Sequence, residues 1–98
     1  MKTYRLIKLD AGGWKVPLDF YEALLAALEA PDWHGRSINA LIDSMVWGNI
    51  NAIEPPYRIL IVATSNLPMA VKKELDDAVS AINNAQGREK DIEFLIEP

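Results

Sequence analysis

Residues 57–63, Tyr-Arg-Ile-Leu-Ile-Val-Ala, are the most continuously apolar run in the chain. The run is too short for a typical helix and is rich in Ile and Val, which predicts a strand covered on both faces. A strand of that kind needs neighbours, and two segments qualify. Residues 3–9 (Thr-Tyr-Arg-Leu-Ile-Lys-Leu) mix β-branched and aromatic residues and end in the loop chemistry of Asp10-Ala11-Gly12-Gly13. Residues 91–97 place Ile92, Phe94 and Ile96 on one face. Helical patterns separate the three, and only crossover helices can return a chain in the same direction. The predicted class is therefore α/β: a small three-stranded parallel sheet flanked by helices, in the order β-α-α-β-α-β. At 98 residues the chain has enough length for one core, so a single domain over 1–98 is expected.

The helices show themselves by periodicity and punctuation. Pro17 sits where a first helical turn tolerates it, and Asp19 and Glu22 place negative charge near the helix's positive end. Leu18, Tyr21, Leu25 and Leu28, with Leu24 beside them, predict the buried stripe, and Pro31 is the expected stop. A second helix is expected over 37–47, with Ser37 as N-cap and Gly48-Asn49 as the break. Residues 49–54 fit either a short helical turn or an irregular connection. The Pro55-Pro56 pair forces extended backbone before the apolar strand. A third helix follows Pro68, turns Val71, Leu75, Ala78, Val79 and Ile82 inward, and stops at Gly87.

Several classes of function are excluded or disfavoured at this level. No cysteine is present, which removes disulfides, thiolate metal sites and thiol catalysis. His34 is the only histidine, so metal binding has no spacing signature, and neither metal nor cofactor is expected. Gly12-Gly13 follows a strand but belongs to no phosphate-binding motif, and no catalytic motif is recognisable; the expectation is a protein that is not an enzyme and has no small-molecule substrate. Ten basic residues against fourteen acidic ones give a net charge of −4, which argues against nucleic acid and suits a basic partner. Met1-Lys2-Thr3-Tyr4-Arg5 lacks the apolar stretch of a signal peptide and no run approaches membrane-spanning length, so a cytoplasmic chain, monomeric when free, is expected.

The stretch that invites a functional reading is 31–47. Within its helix Ile38, Leu41, Ile42 and Met45 have the i, i+3, i+4, i+7 spacing of a buried stripe. Asn39, Asp43 and Trp47, at i, i+4, i+8, fall on a second row rotated away from it. The row displays an amide, a carboxylate and an indole, flanked by the rings of Trp33 and His34 around Gly35. These six residues are the expected partner-binding surface, with Asp43 at its centre. The single histidine would make binding pH-dependent near neutrality.

The run Pro31-Asp32-Trp33-His34-Gly35-Arg36-Ser37-Ile38-Asn39-Ala40-Leu41-Ile42-Asp43 resembles the barstar family, the small intracellular inhibitors of barnase-type ribonucleases. The family pattern is an acidic lead-in, two aromatics, Gly, a polar pair, and a helix reading Leu-Asp-Ala-Leu-Trp-Asp; the match is gapless. The resemblance implies a barstar-like fold and an immunity-type protein that binds a basic ribonuclease or related toxin. It implies further that the acid at Asp43 enters the enzyme's active site among basic residues, where a carboxylate mimics phosphate. Three departures stand out. Asn39 replaces an acid common in the family, Ile42 replaces the usual tryptophan, and the last helix ends in Ile82-Asn83-Asn84 with no acid, followed by a loop three residues longer. The alternative is a regulatory module that keeps the scaffold and binds a protein other than a nuclease.

Overall fold

The computed structural model describes residues 3–98; Met1 and Lys2, which enter the single-domain and leader readings, lie outside them. Three strands, β1 (Arg5–Asp10), β2 (Tyr57–Val62) and β3 (Ile92–Ile96), form one parallel sheet in the order β1-β2-β3. The class and order of elements are those expected from sequence. The register aligns Ile7 with Ile59 and Phe94, and Leu9 with Ile61 and Ile96. The most apolar strand takes the centre. There it shields its backbone on both edges, and it ends where Ala63 turns to φ 60°.

Only one face of the sheet is covered, which corrects the expectation for β2. Tyr57, Ile59 and Ile61 are fully buried, whereas Leu60 and Val62 are half-buried and Arg58 is exposed. The uncovered row continues through Leu6 and Leu95, both well exposed. On this side Leu60 stands between its register neighbours Lys8 and Leu95, and Val62 beside Asp10. Of the face expected on β3, Ile92 is buried and Phe94 packs against the core, but Ile96 at the strand's end is nearly half exposed.

Helix α1 (Pro17–Ala27) supplies Phe20, Tyr21, Leu24 and Leu25 to the core, joined by Leu28 and by Trp14 ahead of it. Leu18, expected on this stripe, is half exposed instead. The stripe is centred on the 20/24/28 and 21/25 rows, and Leu18 lies roughly 90° from that centre at 100° per residue. Phe20 takes the inward place, its ring 5.7 Å from Trp14 and 5.2 Å from Tyr21. Pro31 is not the stop. Glu29 adopts φ 53°, its N–H donates to Ala26 O at 3.2 Å, and Ala30 N–H donates to Leu25 O at 3.0 Å. That pair of bonds closes a Schellman turn two residues before the proline.

The second helix begins at α2 (Ile38–Leu41) and continues directly into a π-helical segment (Ile42–Trp47) in place of the expected α-helix. The change coincides with Ser44, which is buried and brings its Oγ within 3.4 Å of Leu41 O, a carbonyl of the helix ladder. Of the expected stripe, Leu41 and Met45 are buried, while Ile38 and Ile42 pack against the core half-buried. Residues 49–54 are irregular, and their amides serve α1: Ala52 N–H donates to Glu29 O and Ile53 N–H to Leu28 O, at 3.2 and 3.1 Å. The last helix, α3 (Met69–Gln86), buries Val71, Leu75, Ala78 and Ile82 and ends at Gly87 with φ 63°.

Candidate functional site

The loop between α1 and α2 is anchored from inside by the residue expected on its outside. His34 is only 3% exposed. Its Nδ1 lies 2.7 Å from Gly35 O and its Nε2 lies 2.7 Å from Ser44 Oγ. A carbonyl can only accept, so Nδ1 carries a proton; in the neutral ring Nε2 then accepts from the Ser44 hydroxyl. The imidazole thus ties the loop to the π segment ten residues on, and it is not part of the displayed surface. Ser44 was missed from the sequence, although a signal existed. A serine on the row of Leu41 and Met45 faces the core and needs a buried polar partner.

Two further contacts hold the same loop. Arg36 donates to His34 O at 2.5 Å and pairs with Glu22 of α1 through Nε and Nη2, at 3.1 and 3.3 Å. The ion pair is exposed, so its worth is about 0–1 kcal/mol and its effect is chiefly to set position. A Cβ on Gly35 would come within 3.3 Å of the Ala40 Cβ, so the residue is small because loop and helix nearly touch. Ser37 caps α2, its side chain accepting from Ala40 N–H at 3.1 Å. The start of the helix is therefore fixed at four residues: Arg36, Gly35, His34 and Ser37.

On this base the displayed row survives the π turn. Asn39 and Asp43 are exposed, Trp47 is 72% exposed, and Trp33 beside them is 73% exposed. In an α-helix i+4 residues overshoot a full turn slightly; the wider π turn undershoots it, and either way the row holds together. Trp33, His34, Gly35 and Asp43 line one shallow hollow of about 80 Å³, completed by Ala40 and Ile50, which were not anticipated. Asn39 and Trp47 stand outside that lining, and Trp47 borders a separate groove.

The electrostatics of the face are one-sided. No lysine or arginine occurs between Arg36 and Arg58, and Asp43 and Glu54 are the only charged residues there. Glu54 is engaged, its Oε1 accepting from Asn49 N–H at 2.7 Å. The Asp43 carboxylate has no hydrogen bond or ion pair among the described residues; its backbone carbonyl accepts from Gly48 N–H at 3.2 Å, closing the π segment. Among the described residues no group of three His, Cys, Asp or Glu side chains could hold a metal ion, and no helix is long and apolar enough to cross a membrane. What the site offers is a fixed, unpaired acid between two exposed indoles, suited to a cationic protein surface.

Residues 4–97 match the family model described as Barstar (barnase inhibitor). The chain belongs to the barstar family. A search of curated proteins finds no match by sequence. Membership in the barstar family accounts for the order of elements. It makes this a protein of the barnase-inhibitor type, and the members of such a family are inhibitors and not enzymes. Of the departures from the pattern quoted above, Ile42 is half-buried against the core and Ile82 is fully buried, whereas Asn83 is half-buried, Asn84 is exposed, and Asn39 is exposed on the displayed row.

Proposed function

We propose that this chain inhibits a basic ribonuclease, or a toxin domain related to one, by seating the 33–47 face in the enzyme's phosphate-binding cleft. Asp43 is the central acid, Asn39 a neutral hydrogen-bonding neighbour, and Trp33 and Trp47 the flanking anchors. His34 and Gly35 contribute by shaping and holding the loop. The observation that carries this reading is the Asp43 carboxylate, exposed and without a partner on a firmly anchored helix. Its family position supports it, because the acid there is the one that mimics substrate phosphate. A carboxylate fits the planar donor fork of an arginine as two phosphate oxygens would, which is how an acid can compete with RNA for the cleft.

The test is inhibition of a panel of barnase-type ribonucleases by wild type and by Asp43→Ala. Wild type should suppress cleavage of an RNA substrate by at least one of them, and the variant should need far higher concentrations. Wild-type binding that Asp43→Ala leaves within a few-fold would sink the phosphate-mimicry mechanism. Wild type without effect on any of the enzymes would favour the regulatory module with a non-nuclease partner.

A further inference from the structure

The sheet has two edges, and they are guarded unequally. Tyr57 N–H donates to Asp91 O and Glu97 N–H to Ile61 O, both at 2.9 Å, so the odd-numbered residues of β3 turn their backbone groups to β2. The even-numbered residues Ile92, Phe94 and Ile96 turn theirs to the outer edge. At Ile92 that edge is already occupied. The Gln86 side-chain amide takes both groups, Nε2 donating to Ile92 O at 2.8 Å and Oε1 accepting from Ile92 N–H at 2.9 Å, as a peptide group of a fourth strand would. At Phe94 and Ile96 no described residue does the same.

The stretch left open is also the one without charge. On the opposite edge β1 carries Arg5, Lys8 and Asp10, and charged side chains there discourage strand addition. Phe94-Leu95-Ile96 is apolar throughout. Leu95 and Ile96 are each 46% exposed, and a hollow of about 400 Å³ lies against Phe94 and Leu95. Glu97 follows at the strand's end, exposed and on the same face as Leu95.

We propose that the outer edge of β3 takes an extended segment of a partner protein, antiparallel to it and bonded to the N–H and C=O groups of Phe94 and Ile96. Antiparallel addition suits a sheet with one face open to solvent. It makes Phe94 and Ile96 the hydrogen-bonded positions, so the side chains opposite Leu95 and Glu97 stand closer and set the choice of segment. That segment is apolar opposite Phe94, Leu95 and Ile96 and basic opposite Glu97. Opposite Glu93, which Arg58 already pairs, it is neutral. A second copy of β3 is a poor occupant. A two-fold pairing that uses both open positions gives Glu97 the acid Glu93 as its cross-strand neighbour, twice by symmetry. A pairing centred on Phe94 needs Ile92, which Gln86 holds. None of these residues belongs to the 33–47 face, and the site goes beyond the ribonuclease reading.

The test uses the whole protein and the peptide acetyl-Thr-Lys-Val-Leu-Val-Thr-amide, followed by NMR. The amides of Phe94 and Ile96 should shift saturably and exchange with solvent more slowly as peptide is added. The same peptide with glutamate for lysine should bind roughly 2- to 5-fold more weakly, and the peptide N-methylated at both valines should not bind. Ile96→Pro removes an outward N–H and no ladder bond, so it should melt close to wild type and lose the response. Glu97→Lys, which leaves the backbone alone, should reverse the preference between the lysine and glutamate peptides. The absence of any shift, equal shifts with the N-methylated peptide, or equal binding of the lysine and glutamate peptides would overturn the proposal. So would slowed exchange of the two amides with rising protein concentration alone, which would give the edge to a second copy.

Discussion

The exposed face of α3 and the 33–47 face both carry acids, and they use them in opposite ways. On α3, Lys72 reaches Asp76 at 3.3 Å and Lys73 reaches Asp77 at 2.7 Å, while Glu74 accepts from the Tyr21 hydroxyl. Each of these carboxylates is answered within the chain. On the 33–47 face Asp43 has no answering group, and no basic residue lies between Arg36 and Arg58 to provide one. Pairs such as those on α3 contribute a few tenths of a kcal/mol each and hold a solvated helix together. A lone exposed acid contributes nothing comparable to the fold. On the function proposed above, its value lies in an interaction made only with a partner.

The largest expected effect tests that contrast directly. Asp43→Ala should weaken binding to the target ribonuclease by about 2–5 kcal/mol, a range for truncating one partner of a buried charged pair that draws in part on barnase–barstar itself. The double variant Asp76→Asn/Asp77→Asn should change affinity less than about twofold, because exposed charges outside an interface act weakly through screened solvent. Isothermal titration of both variants against one enzyme decides it. Comparable losses in the two would mean that overall charge, and not the position of Asp43, governs association.

Next in size is the anchoring beneath the face. Ser44→Ala should lower stability by about 1–3 kcal/mol, since it strips the buried His34 Nε2 of the hydrogen bond it makes to Ser44 Oγ. Ser80→Ala, the same deletion on the exposed side of α3, should stay within about 0.5 kcal/mol. Urea unfolding of the two variants gives the comparison. If Ser44→Ala is as mild as Ser80→Ala, the His34–Ser44 bond does not hold the loop.

How far the sequence carried this account depends on what kind of information each feature needs. The three strands and their parallel order were legible because β-period apolar runs separated by helical patterns admit few topologies. So was the row Asn39, Asp43, Trp47, which is a matter of spacing along one element. What escaped the sequence needed knowledge of a neighbour. His34 looked like a displayed ring because its partner Ser44 lies on another element, brought near where the loop after α1 closes onto the second helix. The two-sided burial expected of β2 failed because an apolar run does not reveal how many layers cover it. Leu18 and Phe20 exchanged places because a stripe's centre is set by the whole helix and by Trp14, outside its bounds. The π segment left only Ser44 as a trace, and a single serine does not distinguish a bent α-helix from a π turn.

A smaller effect concerns rate. If Asp43 meets a basic cleft, association should slow on the order of tenfold as salt rises from low to about 0.5 M, where the Debye length shrinks below the reach of the charge. Asp43→Asn should show a shallower slope, and Asp76→Asn/Asp77→Asn should parallel wild type. Stopped-flow association at several salt concentrations provides the slopes. Identical slopes for Asp43→Asn and wild type would leave the row's apolar members, Trp33 and Trp47, as the drivers of encounter.

The smallest effect is seen in Asp19, which marks the far end of the same comparison. Its carboxylate accepts from the backbone N–H groups of Lys15 at 2.7 Å and Val16 at 3.2 Å, just ahead of α1. Those bonds to the charged form hold its pKa below the ordinary aspartate value of 3.8, the Lys15 amide contributing most. The folded state therefore takes up this proton less readily than the unfolded state does. Above the ordinary value the stabilisation is fully present; as pH falls through that value the unfolded chain protonates first, and the contribution is gone once pH passes below the folded-state value. Asp19→Asn should remove this component, flattening the acid limb of a stability–pH curve measured by denaturant unfolding. An acid limb that Asp19→Asn leaves as steep as in wild type would show that the Lys15 and Val16 amides do not hold this carboxylate in its charged form, and Asp19 would no longer stand as an acid engaged by the fold.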